Sequence, residues 1–246
     1  MNALSRYAPL LLLAVLWELV PRVHLIDPQS LPPLSAVLVA WWGLLISGDL
    51  WSNGVSSLLN LTAGLLLGVV IGAALGVLMA WYRVFDDIVH PIVRALYPMP
   101  KSALIPVMIL WLGLGAGSKI ASIFMGCLLP AVLSAYNGAR GVDRVLIWSA
   151  LAAGAKRHAV LWEVILPAAL PEILAGVRTA LALSFILMVA SEFLIAQTGI
   201  GYLISSLGEN GAYDAMFAGV LTVAAVGFFA DRAFLWAMRW ALIWRE

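Results

Sequence analysis

Six apolar stretches, residues 7–23, 55–81, 88–112, 119–139, 171–194 and 214–240, constrain this chain more than any other feature. About 20 apolar residues rising ~1.5 Å each cross roughly 30 Å of hydrocarbon. No water is available at that depth, so a run of this length must satisfy its backbone hydrogen bonds within itself, as a helix. Composition supports the same reading. Hydrophobic residues make up 63% of the chain and charged ones 11%, against roughly 45–50% and about 25% in soluble domains. The expected fold is all-α, a polytopic transmembrane helical bundle of about six spans. Eleven Trp fit belts at the two membrane surfaces, so lipid is the first partner.

The first stretch has the length of a signal-peptide core, Ala8–Val20 after Arg6. Trp17, Glu18 and Pro21-Arg22, with no small-residue cleavage site, favour a short first span, with a signal peptide as the alternative. Residues 24–34 carry Pro28, Pro32 and Pro33 and read as turns. Residues 35–47 are apolar but too short to cross, which suits a helix lying in the interface. The expected division is 1–54, an N-terminal span with an interfacial helix, and 55–246, a core with a polar loop at 142–171.

Lys and Arg set the orientation. With the N-terminus cytoplasmic, Arg6, Arg83, Arg140, Arg144, Lys156, Arg157, Arg239 and Arg245 fall at cytoplasmic segments, and Arg22 and Lys119 lie opposite. Both termini and the 142–171 loop are then expected in the cytoplasm. A net charge of +1 gives no basic face for nucleic acid.

Gly64, Gly68, Gly72 and Gly76 recur every four residues in the second stretch and lay a smooth stripe on one helical face. Another backbone is expected to approach it closely, from this chain or from a second copy. The third stretch is punctuated by Pro91, Pro98, Pro100 and Pro106, so its helix is expected to break near Tyr97–Pro100. A broken span is tolerated where it lines a cavity or is buried in protein. Lys101 follows the break. It is either a pathway residue for an anionic solute or a side chain that snorkels to the surface. Near the outer end of the fifth stretch, Glu192 precedes Gln197, Thr198, Gly199 and Gly201, and Asp214 opens the sixth. These residues either shape an outer gate and meet a delivering protein, or only mark membrane boundaries.

Catalytic and metal motifs are absent from the sequence. There is no G-x-x-x-x-G-K-[ST], so nothing marks this chain as an ATP binder. The histidines His24, His90 and His158 are scattered, and no metal spacing or activated nucleophile occurs. Cys127, the single cysteine, sits in an apolar run and reads as a packing residue.

The polar loop is more informative. Leu146–Ala153 and Lys156–Leu166 pattern as two short helices joined at Gly154, the second stopping at Leu166-Pro167. Ala150, Ala152 and Ala153 offer a smooth surface, and a helix pair of this kind fits a groove on another protein.

Trp148-Ser149-Ala150, then Gly154, then Val164-Ile165-Leu166-Pro167 resembles the E-A-A, three residues, Gly, about nine residues, I-x-L-P pattern of ABC importer permease subunits. The nitrate/sulfonate/taurine branch is the most similar. The resemblance covers nearly the whole length, including Trp17-Glu18-Leu19, Leu31-Pro32-Pro33-Leu34-Ser35, Pro100–Pro106, Ile109–Gly113, Gly138–Asp143 and Gly199–Leu203. One departure stands out. Trp148 occupies the usual Glu position and Ser149 the usual Ala.

The resemblance implies a type I importer permease without catalytic residues. A second, identical permease copy completes the pore, and two cytoplasmic ATPase subunits carry ATP and Mg. A periplasmic or surface-tethered binding protein delivers a nitrate-, sulfonate- or taurine-like solute across the bacterial cytoplasmic membrane. Trp148, Ser149, Ala150, Ala153, Gly154, Lys156, Arg157, Ile165, Leu166 and Pro167 become the ATPase-coupling residues. Pro100, Lys101 and Glu192 become candidates for the path. A self-sufficient secondary transporter or channel is the alternative, and a membrane scaffold or small membrane enzyme a third class. The absence of an evident repeat between the two halves weighs modestly against the secondary transporter.

Overall fold

A computed structural model of the chain describes residues 3–195 and 197–245, with the side chains of 3–7, 195 and 245 outside the description. Arg6 and Arg245 of the charge count therefore lie beyond it. All described secondary structure is helical. The chain gathers into two compact units, Met1–Ser57 with Glu192–Val226 and Leu58–Ser191 with Gly227–Glu246.

In the first unit, α1 (Ala3–Arg22) turns through the proline-rich link into α2 (Leu34–Ser47), as the short apolar run predicts. The link is tied by residues of two stretches that the resemblance covers, Trp17-Glu18-Leu19 and Leu31–Ser35. Trp17 donates its indole N–H to the Pro32 carbonyl at 3.0 Å. Glu18 accepts from the Ser35 amide and hydroxyl, both at 2.9 Å, next to the proline that precedes α2. A carboxylate there satisfies an amide that the first helical turn leaves without a partner. Trp41 of α2 donates to Thr222 Oγ1 at 3.0 Å, joining α2 to the beginning of α11 (Tyr213–Ala241).

The second unit is built on α6 (Ala116–Arg140). The glycine face of α3 (Asp49–Trp81) lies against it, and α9 (Leu166–Ile195) packs on it as well. A Cβ on Gly64, Gly68 or Gly72 would sit 2.7 Å from the Cβ of Ile123, Cys127 or Ala131. The partner of the glycine stripe is therefore a helix of the same chain. Gly138 of α6 meets Glu172, and Gly176 of α9 meets Ser134, at similarly short range. Cys127 is buried between α6 and α9 and directs its thiol at the Ala180 carbonyl, 3.3 Å away.

Among the described residues, four helices are long and apolar enough to cross a membrane: α3, α6, α11 and the run Arg157–Leu194. One further stretch passes the same test only as a bent pair, broken where the prolines predict. There α4 (Arg83–Leu96) gives way to a short 3₁₀ turn (Lys101–Leu104) and α5 (Ile105–Leu112), bent by 94°.

The polar loop departs from expectation at one end. Its first helix forms as α7 (Arg144–Ala152), but the second does not stop at Leu166-Pro167. Instead, α8 (Arg157–Val160) runs through a wide π turn (Leu161–Ile165) straight into α9, with Pro171 inside the helix. Proline lacks the N–H and crowds the carbonyl four residues back. The wider turn, in which the Leu166 amide reaches the Leu161 carbonyl, moves the preceding carbonyls off the α register and lets the helix continue.

Candidate functional site

Helix α7 is closed at both ends by its own sequence. Asp143 accepts the Val145 amide at 2.9 Å as N-cap. At the other end, the Gly154 amide reaches the Leu151 carbonyl (3.0 Å) and the Ala155 amide the Ala150 carbonyl (3.1 Å). That pair of bonds is a Schellman closure, which needs a left-handed residue, and Gly154 supplies it at φ +88°. The nine-residue helix thus holds its shape through capping, with few neighbours around it.

One face of α7 rests on the rest of the unit. Ile147 and Ala150 pack on a cluster that includes Val142, Val160, Leu161 and Ile165. The opposite face presents Val145, Leu146, Trp148 and Leu151 to the outside, with Trp148 62% exposed. Four exposed apolar side chains on one helix face are more than the scattered surface apolar residues of a solvated loop. The expected coupling residues therefore divide. Trp148, Ser149, Ala153, Gly154, Lys156 and Arg157 are outward. Ala150, Ile165 and Leu166 face the interior cluster, and Pro167 is half-buried where the π turn hands over to α9. Of these four, sequence spacing places Ala150 on a smooth outer surface, because it treats the loop as a free-standing helix pair; Ile165, Leu166 and Pro167 come from the resemblance.

Beside α7 lies a charged cluster that the sequence did not suggest. Asp86 of α4 accepts from Tyr136 Oη (3.1 Å) and Arg140 Nη1 (3.4 Å) of α6, and its other oxygen lies 3.1 Å from His90 Nδ1. It borders a 620 Å³ pocket that also touches Arg83, Arg144 and Ile147. The i,i+4 spacing of Asp86 with His90 and of Tyr136 with Arg140 was the available signal.

The break in the third span has a defined chemistry. Pro100 is extended and exposed, and Lys101 folds back from it. The Lys101 ammonium donates to the carbonyls of Leu96 (2.6 Å), Tyr97 (3.2 Å) and Met99 (2.6 Å). Its three protons thus take carbonyls at and just beyond the end of α4, of which that of Leu96 also accepts the Met99 amide. Tyr97, Met99 and Lys101 border a 440 Å³ cavity completed by Gly126, Pro130 and Ser134 of α6 and Thr179 and Leu183 of α9.

Glu192 has a different environment from the one expected. It is 1% exposed, so it offers no surface to a delivering protein. Its carboxylate accepts the Ser57 hydroxyl at 2.8 Å and the Gly201 amide at 3.0 Å, while the Ile200 amide donates to Ser57 Oγ at 2.8 Å. These bonds sit at the start of α10 (Ile200–Glu209), where an anion is favoured. Gly199, at φ +120°, lies so close that a Cβ would strike the Glu192 carboxylate. Gly199 thus fits over that acid, and Gly201 donates its amide to it.

Two charged residues inside apolar helices complete the inventory. Arg178 of α9 and Asp231 of α11 form a two-pronged pair, Nε–Oδ1 2.7 Å and Nη2–Oδ2 3.1 Å. Asking which charges within a span need a partner would have found them in the sequence.

The long apolar helices make this a multi-pass membrane bundle. Residues 64–240 match the family described as binding-protein-dependent transport system inner membrane component, and the chain belongs to that family. It is 35% identical over 227 residues to the taurine transport system permease protein TauC of Escherichia coli (strain K12), covering 90% of this chain and 82% of TauC. It is 30% identical over 238 residues to the putative aliphatic sulfonates transport permease protein SsuC of Bacillus subtilis (strain 168), covering 97% of this chain and 86% of that one. Solved structures of the inward-facing MetNI methionine ABC transporter share the fold, one with a TM-score of 0.65 at 20% identity over 81% of this chain and 97% of that chain. The protein is thus a multi-pass inner-membrane permease subunit of the ABC importer type.

Proposed function

We propose that this permease imports a small anionic or zwitterionic solute of the sulfonate, taurine or nitrate class, delivered by a binding protein and driven by separate ATPase subunits. Two copies form the path, the termini face the cytoplasm, and ATP and Mg reside on the ATPase. Residues 55–246 act as the core and 1–54 as its peripheral arm. The observation that carries the reading is the outward apolar face of the self-capped α7 in a chain with no nucleotide-binding loop. The names of the taurine and sulfonate relatives support the solute class.

In this reading ATPase closure pushes on α7, and Ile147 and Ala150 pass the displacement to the cluster beneath them. Two domain arrangements alternate, one open to each side. Trp148 replaces the family's acid with aromatic area, so the receiving groove must be apolar, with acidic groups at its rim for Lys156 and Arg157.

The test is co-purification and transport. Leu151→Asp and Trp148→Ala leave the caps of α7 intact, and each is expected to lose the ATPase subunit while the permease stays monodisperse. A substitution at Gly154 would confuse the result, because any side chain there also opens the Schellman closure. Wild-type complex with binding protein in proteoliposomes should take up taurine or an aliphatic sulfonate only with ATP. Uptake that continues without the ATPase and collapses with the ion gradient would establish a secondary transporter instead.

A further inference from the structure

Arg178 and Asp231 sit where lipid cannot solvate them. Counting ~1.5 Å per residue, Arg178 is about 18 Å along α9 from Leu166, and Asp231 about 13 Å short of the level of Trp240 on α11. Ionised groups at such depth face a bundle interior or a water-filled space. Yet the chain leaves them open, with side-chain exposures of 47% and 29%. Arg232 adds a second guanidinium, stacked over Phe228 at 5.0 Å. The three charges sum to one excess positive.

The outward stripe of α9 next to Arg178 is unlike a lipid-facing one. It reads Ala168, Glu172, Ala175, Thr179, Ala182 and Ile186, small or polar at five of six positions. The outward face of α3, by contrast, carries Leu66, Leu67 and Val70. Thr179 also borders the cavity at the break between α4 and α5, where Lys101 and Ser134 also bring polar side chains, so this stripe runs into that opening.

We propose that the Arg178–Asp231 pair is an anion site on the wetted surface of the translocation path. Arg178 receives the sulfonate- or carboxylate-like oxygens of a solute through the two N–H groups it now gives to Asp231. Planar two-pronged donation suits such oxyanions. Asp231 holds the guanidinium in place between solutes and offers its released carboxylate to the ammonium of a zwitterion. Lys101 does not share this role in the same conformation, since its protons are taken by three carbonyls. The proposal rests on the permease reading for the existence of a path.

The experiment labels a cysteine beside the pair in membranes holding the whole chain with its ATPase. Thr179→Cys, in a Cys127→Ala background, is treated with the sulfonatoethyl and the trimethylammonium-ethyl methanethiosulfonates, and rates are normalised to a free thiol. Should that background fold poorly, the native Cys127 is retained, because it is fully buried, and Ala182→Cys is the second position. The anionic reagent is expected to be favoured about tenfold, the size of effect one nearby charge exerts at intermediate dielectric. Arg178→Gln should bring the ratio to about one. Ethanesulfonate should slow the labelling and ethylammonium should not. Labelling by neither reagent would mean that lipid or a second copy covers the pair, and would overturn the site. A ratio unchanged by Arg178→Gln would overturn it equally. Anion-selective labelling without ATP-driven uptake by the wild-type complex would overturn the importer reading and leave the site standing.

Discussion

The substitution Gly72→Ala tests the packing of α3 on α6 directly. The new Cβ would lie 2.7 Å from the Ala131 Cβ and 2.7 Å from the Leu128 carbonyl oxygen. Carbon atoms rest at roughly 3.5–4.0 Å, so the two backbones must part by about 1 Å. Both obstacles belong to another helix, so no side chain can rotate out of the way. Overpacking of this kind costs about 1–3 kcal/mol. Alanine returns about 0.5–1 kcal/mol through its better helix propensity. The net loss is about 1–2 kcal/mol, or a fall in Tm of about 2–8 °C for a chain of this size. Gly43→Ala is the control of opposite sign, because nothing lies within 4 Å of its Cβ position in α2. Its stability should stay level or rise by up to about 1 kcal/mol. The assay is thermal unfolding of the purified protein in detergent, followed by size-exclusion of heated samples. A Gly72→Ala protein at least as stable as wild type would show that α3 and α6 do not touch as described.

Further outcomes follow from other contacts. Glu192→Gln replaces a carboxylate that accepts at both oxygens with an amide that brings N–H groups toward the same donors, and should cost about 2–4 kcal/mol from hydrogen bonds to a buried charge. Ser57→Ala should cost less and add little on top of it in the double variant, which thermal unfolding of all three proteins checks. Lys101→Met frees the Leu96, Tyr97 and Met99 carbonyls and should loosen the break, read as faster hydrogen exchange confined to residues 96–104. Asp143→Ala removes the N-cap of α7 and should weaken ATPase co-purification without shifting the Tm of the permease by more than about 4 °C, since capping is worth about 1 kcal/mol.

How far the sequence reached depended on whether the deciding interaction was local. The break at Tyr97–Pro100 was legible, because proline acts on its own backbone whatever surrounds it. The glycine stripe was legible as a contact face, but not its partner, since Ile123, Cys127 and Ala131 lie more than 50 residues away and leave no trace in the spacing of α3. Leu166-Pro167 was misread as a stop. Proline ends a helix only if the preceding turn keeps α register, and here a π turn absorbs it. Glu192 was read from its place near a span end, whereas its burial depends on Gly199 and Gly201 folding over it. Arg178 and Asp231 were present in two expected spans, and only their pairing across helices turned them from oddities into a feature.

The π turn also has a mechanical consequence. From Arg157 to Ser191 the backbone is one uninterrupted rod about 50 Å long, at ~1.5 Å per residue. A rod carries torque, so a tilt of roughly 5° about its middle displaces each tip by about 2 Å, comparable to the small helix shifts that switch packed interfaces. A flexible hinge at Pro167 would have dissipated that motion at the membrane surface. The five residues Leu161–Ile165 take the wider π register within that rod, and Pro171 further along lacks an N–H for the ladder. In the proposed mechanism, the stiffness of the π turn sets the gain between a push on the loop and movement deep in the bilayer.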